Sequence, residues 1–386
     1  MQTLNNIPAD SRLTRWFAPI YEAYSVKTFP ARLDIPQRLR ACLNIAHRAA
    51  HLAPLAGKDK PLTLSMPRKG ESGQRPKMFV AFSGGKDCLA AAIRAEQDGY
   101  APTLVHIRGI NMSLVSEHKH AQAIARAVGY PYIELKINFS GKKEFNEHPL
   151  RNLLILCLLI DEGVKQGCMT YSLGNIFEDA TSHANIDYDL SDGIDMLRAW
   201  ERFMKGVFSP EFKLKTYVCN NLQSYYTIWR RDKTLLPLLT TCCTPDFRKP
   251  MIRQANVKKY GESVLSKTGC GGCYKCATEY MYKVKFGLIK ASSAYDRRAM
   301  ELIAKFKSIH KDNFAFDTRR YNRYGGTDTE EVQILCDRIG YYIGRLEYDP
   351  KLFKWFTRDF YGHKHYRSRE EAQAVLMRFV KLYKLK

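Results

Sequence analysis

Apolar residues recur at helical spacing near the start of the chain, at Leu13, Trp16, Phe17, Ile20 and Tyr21, and predict helix over residues 1 to about 55. A polar stretch rich in Lys, Pro, Gly and Ser follows from Lys58 to Lys77 and reads as a linker or exposed loop. At Met78 the pattern changes. Met78 to Phe82 is a short apolar run ending in Ser-Gly-Gly, which predicts a buried strand entering a tight turn. Cys88 to Gln97 then predicts a helix with Leu89, Ala92 and Ile93 inward and Gly99 as its stop. Strands over Thr103–Ile107, Tyr132–Leu135 and Met169–Leu173 alternate with helices over Glu117–Val128 and Arg151–Lys165. Strands and helices alternating at this length predict βαβ units, and so an α/β fold with a parallel, Rossmann-like sheet flanked by helices. An acidic loop runs from Glu178 to Asp195, helix resumes beyond Met196, and Leu235–Leu239 reads as a further short strand. From about residue 287 the chain is basic and aromatic, with helices predicted over Ala299–Ile309, Glu330–Tyr341 and Glu370–Tyr383. The expected division is a helical N-terminal extension and linker (1–76), an α/β domain (77–286) and a basic helical region (287–386).

Composition changes this picture at two points. The net charge of +22 attracts polyanions, which makes nucleic acid a candidate partner, against the plainer reading of a basic surface with none. The second point is the eleven cysteines. No secretory signal is evident, and the longest apolar run, Leu153–Ile160, is too short to span a bilayer. The expectation is a cytoplasmic chain without a membrane segment, in which clustered cysteines are better metal ligands than disulfide partners. Cys42, Cys157, Cys168 and Cys336 sit in apolar settings and read as buried small hydrophobes. Oligomeric state is left open.

Ser83-Gly84-Gly85-Lys86-Asp87-Cys88 carries the most specific chemistry. Two glycines between a strand and a helix let the backbone turn sharply, so that amides and the positive helix end face an anion. The Ser83 hydroxyl and the Lys86 charge add to such a cradle, and Asp87 is placed to help hold Mg²⁺. The spacing matches neither the Walker A loop nor the Gly-x-Gly-x-x-Gly dinucleotide fingerprint. A second constellation is Cys270-Gly-Gly-Cys273-Tyr-Lys-Cys276, with thiols every third residue. A structural zinc site needs four ligands, and Cys242 or Cys243 upstream could supply the fourth. A redox pair and an iron–sulfur cluster are the competing readings.

The strand–Ser-Gly-Gly-x-Asp–helix arrangement resembles the PP-loop of the ATP pyrophosphatases, the HUP-type enzymes that cleave ATP to AMP and pyrophosphate and so adenylate a substrate. Cys88 stands where the family usually has Ser, a weaker hydrogen-bond donor. A PP-loop followed by this knuckle is similar to the 7-cyano-7-deazaguanine synthase (QueC-like) family over residues 78–285, as are Arg151-Asn152 opening a helix, Gly174-Asn175 ending a strand, and the Asp179, Asp187, Asp189, Asp192 loop. The resemblance implies ATP with Mg²⁺ on Ser83–Cys88, adenine near His106, contacts from Gly174 and Asn175, catalytic Lys86, Asp87 and Arg151, and structural Zn²⁺ on Cys243, Cys270, Cys273 and Cys276. The departures are Arg108–Asn111, where the family has an aromatic, Gln-containing segment, and the regions before 78 and after 285. The implied acceptor is a small molecule or base, such as a deazaguanine acid or a nucleic-acid base. Two rival expectations are a sulfur transferase acting on tRNA or DNA, and a nucleic-acid-binding module with a degenerate nucleotide pocket.

Overall fold

The protein is described from a computed structural model over residues 4–5, 11–24, 29–49, 52–62, 64, 75–108, 117–139, 148–174, 194–217, 221–239, 242, 244, 248–265 and 269–309. Its centre is a five-stranded sheet of β1 (Lys77–Ala81), β2 (Ala101–Arg108), β3 (Tyr132–Lys136), β4 (Thr170–Leu173) and β5 (Lys213–Thr216). The order is β3-β2-β1-β4-β5, and every pairing is parallel. A two-residue antiparallel ladder joins Leu4–Asn5 to Asn138–Phe139 outside this sheet.

Strand side chains alternate between two cores, as the pleat requires. Met78, Val80 and Leu104 enter one core with α3 (Lys86–Gln97), α4 (Glu117–Val128) and α7 (Asn221–Arg231). Phe79, Val105, Tyr171 and Leu173 enter the other with α5 (Arg151–Lys165) and α6 (Ile194–Val207). Both faces of β1 are therefore covered, and Met78, Phe79 and Val80 are fully buried. This accounts for the continuous apolar run in a parallel sheet. Helices α3 and α4 link β1, β2 and β3 on one face. The chain then crosses, so that α5 and α6 serve β4 and β5 on the other.

The N-terminal helices α1 (Arg12–Ala23) and α2 (Gln37–Ala49) pack into the second core. Phe17 meets Trp200 of α6 edge-on at 5.4 Å. The start of α1 is capped from α5: Asp161 accepts from the Leu13 amide at 2.9 Å, the Thr14 amide at 2.8 Å and the Thr14 hydroxyl at 2.6 Å. The α1 end is tied by buried His148, whose Nε2–H donates to the Tyr21 and Tyr24 carbonyls while Nδ1 accepts from the Leu150 amide. Burial pushes that imidazole down from 6.5 to about 4.

Several elements differ from the sequence expectation: within the stretch expected to be helical, Leu4–Asn5 is a strand and residues 29–36 are not helix, and the helix expected over Ala299–Ile309 begins at Ser293. Residues 235–239 are not a strand: Lys233–Leu238 is a 3₁₀ turn, capped by the Asp232 carboxylate on the Thr234 amide and containing Pro237. The fifth strand is Lys213–Thr216, whose alternating, polar sequence hid it at the sheet edge. Beyond the sheet, α8 (Lys249–Tyr260), α9 (Tyr274–Lys285) and α10 (Ser293–Ile309) follow. Tyr295 and Ala299 of α10 pack on Ala277 and Tyr280 of α9. The helices expected over 330–341 and 370–383, and Cys336, lie outside the described residues. Among the described residues no helix is long and apolar enough to cross a membrane.

Candidate active site and metal centre

Strand β1 hands the chain to α3 through the Ser-Gly-Gly bend. The Phe82 amide still donates to the Val105 carbonyl at 2.8 Å, so the bend begins only at Ser83, which is exposed. Gly84 sits at φ +82°, a left-handed backbone that L side chains disfavour. A Cβ there would also lie 3.2 Å from the Ala121 amide nitrogen of α4. Gly85 caps α3 in extended conformation, with no side-chain capping bond. The helix starts at Lys86, two residues earlier than the periodicity indicated. Lys86, Asp87 and Cys88 therefore form its first turn, where backbone amides have no intrahelical acceptor. Amides of a helix's first turn point in the direction from which an anion can be bound.

Sheet order places the turn. Connections run one way from β1 to β2 and β3 and the other way to β4 and β5, so the order reverses between β1 and β4. Open α/β sheets bind ligands outside the carboxyl ends of the strands at such a reversal. Gly174, immediately after β4, closes the far side: a Cβ there would lie 2.4 Å from Cys88 Cα and 2.5 Å from its nitrogen and Sγ. Only glycine lets the two segments approach this closely.

Asp87 is held from two directions. Its Oδ2 accepts from Lys86 Nζ at 2.6 Å, and its Oδ1 accepts from Ser224 Oγ of α7 at 2.8 Å. Ser224 is fully buried and lies 137 residues further along the chain. Sequence reasoning missed it, because a lone Ser on an amphipathic helix carries no motif. Ser83 Oγ and Cys88 Sγ lie 3.7 Å apart. Burial pushes the Cys88 thiol up, so it stays protonated near neutrality. His106, at the end of β2, is buried, and its Nδ1–H donates to the Phe82 carbonyl at 2.8 Å. Desolvation lowers its pKa and keeps it neutral. It braces the root of the bend. Arg151 opens α5, whose first turn the chain connectivity places at the same sheet edge, and its Nε lies 3.4 Å from Asn152 Oδ1. Asn175 and the loop containing Asp179, Asp187, Asp189 and Asp192 lie outside the described residues.

The knuckle is assembled as four thiols. Sγ atoms of Cys242, Cys270, Cys273 and Cys276 all lie within 4.8 Å of one another, with Cys270 to Cys276 at 4.0 Å. A tetrahedral zinc at about 2.3 Å from each sulfur sets sulfur–sulfur edges of about 3.8 Å. The cluster is of that size and could hold a metal ion such as zinc. Cys243, favoured beforehand for the fourth place, lies outside the described residues; the thiol that joins the three is Cys242. The Gly272 amide donates to Cys270 Sγ at 3.3 Å and the Cys276 amide to Cys273 Sγ at 3.5 Å, bonds that suit thiolates. Hydrogen bonds from the other thiols push Cys242 down, while Cys270 and Cys276 are pushed up. A cation in the centre would favour the thiolate form of all four sulfurs.

A scan against protein-family models and a search of curated proteins find no match to this chain.

Proposed function

We propose that the chain is an ATP-dependent adenylating enzyme of the PP-loop type, which cleaves ATP to AMP and pyrophosphate. The observation that carries this reading is the bend at Ser83–Gly85, opening α3 at the reversal point of the sheet with Gly174 pressed against Cys88. The triphosphate lies on the first-turn amides, with Lys86 supplying positive charge. A substrate carboxylate or carbonyl oxygen attacks the α-phosphorus, and pyrophosphate leaves with the electrons of the cleaved bond. Amides fixed in place stabilise the growing charge without reorganising. Mg²⁺ usually binds through one or two carboxylates plus phosphates, and Asp87 would supply such a ligand and neutralise phosphate charge. Arg151, on the same edge, is assigned to the substrate's acidic group.

The acceptor follows from the QueC-like motif set: a deazaguanine-type acid or nucleic-acid base, taken on by a nitrogen nucleophile. Sulfur transfer would need a reactive cysteine. Cys88, the thiol at the loop, is held protonated by burial and is a poor nucleophile. The four clustered thiols have the closed geometry of a structural ion site. The test is AMP and pyrophosphate release from ATP with deazaguanine acids, tRNA and DNA as candidate acceptors. Lys86→Ala and Asp87→Ala should abolish release. Full activity in both variants would end the reading, and an iron–sulfur spectrum in the purified protein would turn it towards sulfur transfer.

A further inference from the structure

Helix α8 has a use that the nucleotide site does not give it. It runs from Lys249 to Tyr260, buries no residue, and holds no acidic side chain from Arg248 onward. Its exposed positions are Arg248, Met251, Gln254, Ala255, Lys258 and Lys259, together with Pro250. At 3.6 residues per turn these fall on one side. The opposite side is anchored to the metal knuckle. A Cβ on Gly272 would meet Ile252 Cγ2 at 3.0 Å, Asn256 Nδ2 donates to the Cys270 carbonyl at 3.1 Å, and Arg253 donates to the Gly269 carbonyl at 3.0 Å. The helix is thus a rigid rod, about 18 Å long at 1.5 Å per residue, presenting charge of a single sign. Solvated helix faces ordinarily interleave both signs. Met251 is 70% exposed in the middle of the face. The wider segment 248–309 repeats the bias, with fourteen Lys and Arg against four Asp and Glu.

We infer that the outer face of α8 is a docking surface for the phosphate backbone of a polynucleotide, held at a fixed orientation by the cysteine knuckle. Charge complementarity selects this occupant: a 12-residue rod without an acid spans several successive phosphates and repels other basic surfaces, including a second copy of this face. Binding of this kind is independent of sequence and steeply dependent on salt.

The test is fluorescence anisotropy of the full chain with a labelled 30-base-pair DNA of random sequence, across a salt series and without ATP. Leaving out ATP separates this result from that of the adenylation assay. The triple variant Arg248→Glu, Lys258→Glu, Lys259→Glu should weaken binding by at least about tenfold and reduce the slope of log K against log salt by about 2 to 3. A control of equal charge change on exposed lysines elsewhere, Lys58→Glu, Lys60→Glu, Lys213→Glu, should leave most of the affinity and slope intact. The milder Arg248→Gln, Lys258→Gln, Lys259→Gln keeps the question answerable should the reversed variant unfold. Equal losses in both triples, or no loss in the α8 triple, would overturn the inference. So would α8-dependent binding to phosphatidylserine vesicles with none to DNA.

Discussion

Adding one methyl group at Gly174 is the sharpest perturbation of the proposed nucleotide site. The Cβ of a Gly174→Ala variant would start 2.4 Å from Cys88 Cα and 2.5 Å from its amide nitrogen. Carbon contacts settle at about 3.5 Å, so the end of β4 and the first turn of α3 must part by about 1 Å. Overpacking of this kind costs about 1–3 kcal/mol, which a domain of ordinary stability survives. Function is more sensitive, because a 1 Å displacement of groups that position a reactant can cost about 100-fold in rate. The variant should therefore remain folded by circular dichroism and lose about two decades in AMP release, with weakened ATP binding by calorimetry. Adding Cys88→Ala should not rescue it, since two of the three nearest atoms are backbone. A Gly174→Ala protein with wild-type rate and affinity would refute the close approach and, with it, the assignment of α3's first turn as the phosphate cradle.

Four further outcomes follow from the same coordinates. Ser224→Ala removes the buried hydroxyl on Asp87 Oδ1 and should lower kcat about tenfold with little change in melting temperature, while Ser224→Thr restores most of it; a loss of stability with no change in kcat would reduce Ser224 to packing. Metal analysis should give one ion per chain, lost in Cys242→Ser and kept in Cys243→Ser; the reverse pattern would move the fourth ligand to Cys243. His148 is neutral when folded and binds a proton when unfolded between pH 6.5 and about 4, so stability should fall by about 3 kcal/mol as pH drops through that window and be unaffected above it; urea titrations of wild type and His148→Gln should differ in slope there, and identical slopes would discard the account. Asp161→Ala strands the Leu13 and Thr14 amides and should cost about 3 kcal/mol in denaturant unfolding, whereas a cost under about 1 kcal/mol would mean that water replaces the cap.

The doubly covered strands could be read from the chain because burial on both faces leaves a continuous apolar run, as at Met78–Phe82. Helices α4 and α5 matched residue for residue because Gly129 and the switch to a polar segment end their periodicity sharply. Strand β5 could not be read. At an edge, Lys213 and Lys215 stay polar while Leu214 is buried, so four residues carry too little pattern. Lys233–Leu238 misled for the opposite reason: Leu235 and Leu236 are buried in the core shared with α4 and α7, while Pro237 and the Asp232 cap fix a turn. Motif spacing located three thiols, yet the fourth depends on where a segment far upstream comes to rest. Adjacent Cys242 and Cys243 offer no local feature that separates them.

Helix α7 joins the two centres. Ser224 faces one way and holds Asp87, while its neighbours Tyr225 and Tyr226 face α9, where Tyr225 stacks on Tyr282 at 4.5 Å and Tyr226 lies 6.2 Å from Phe286. The start of α9 is capped by Cys273, whose sulfur accepts from the Cys276 amide. An ion gathering four thiolates would thus fix the first turn of α9, the aromatic stack would fix α7, and α7 would set the carboxylate beside the proposed phosphate site. Packed aromatic faces transmit displacement because close-packed interiors have little room to absorb it. The knuckle, although remote in sequence from the loop, is on this account a support for the position of Asp87. It follows that chelation should lower the proposed AMP release in step with the loss of Tyr225–Tyr282 packing, read from tyrosine fluorescence, before the sheet itself unfolds.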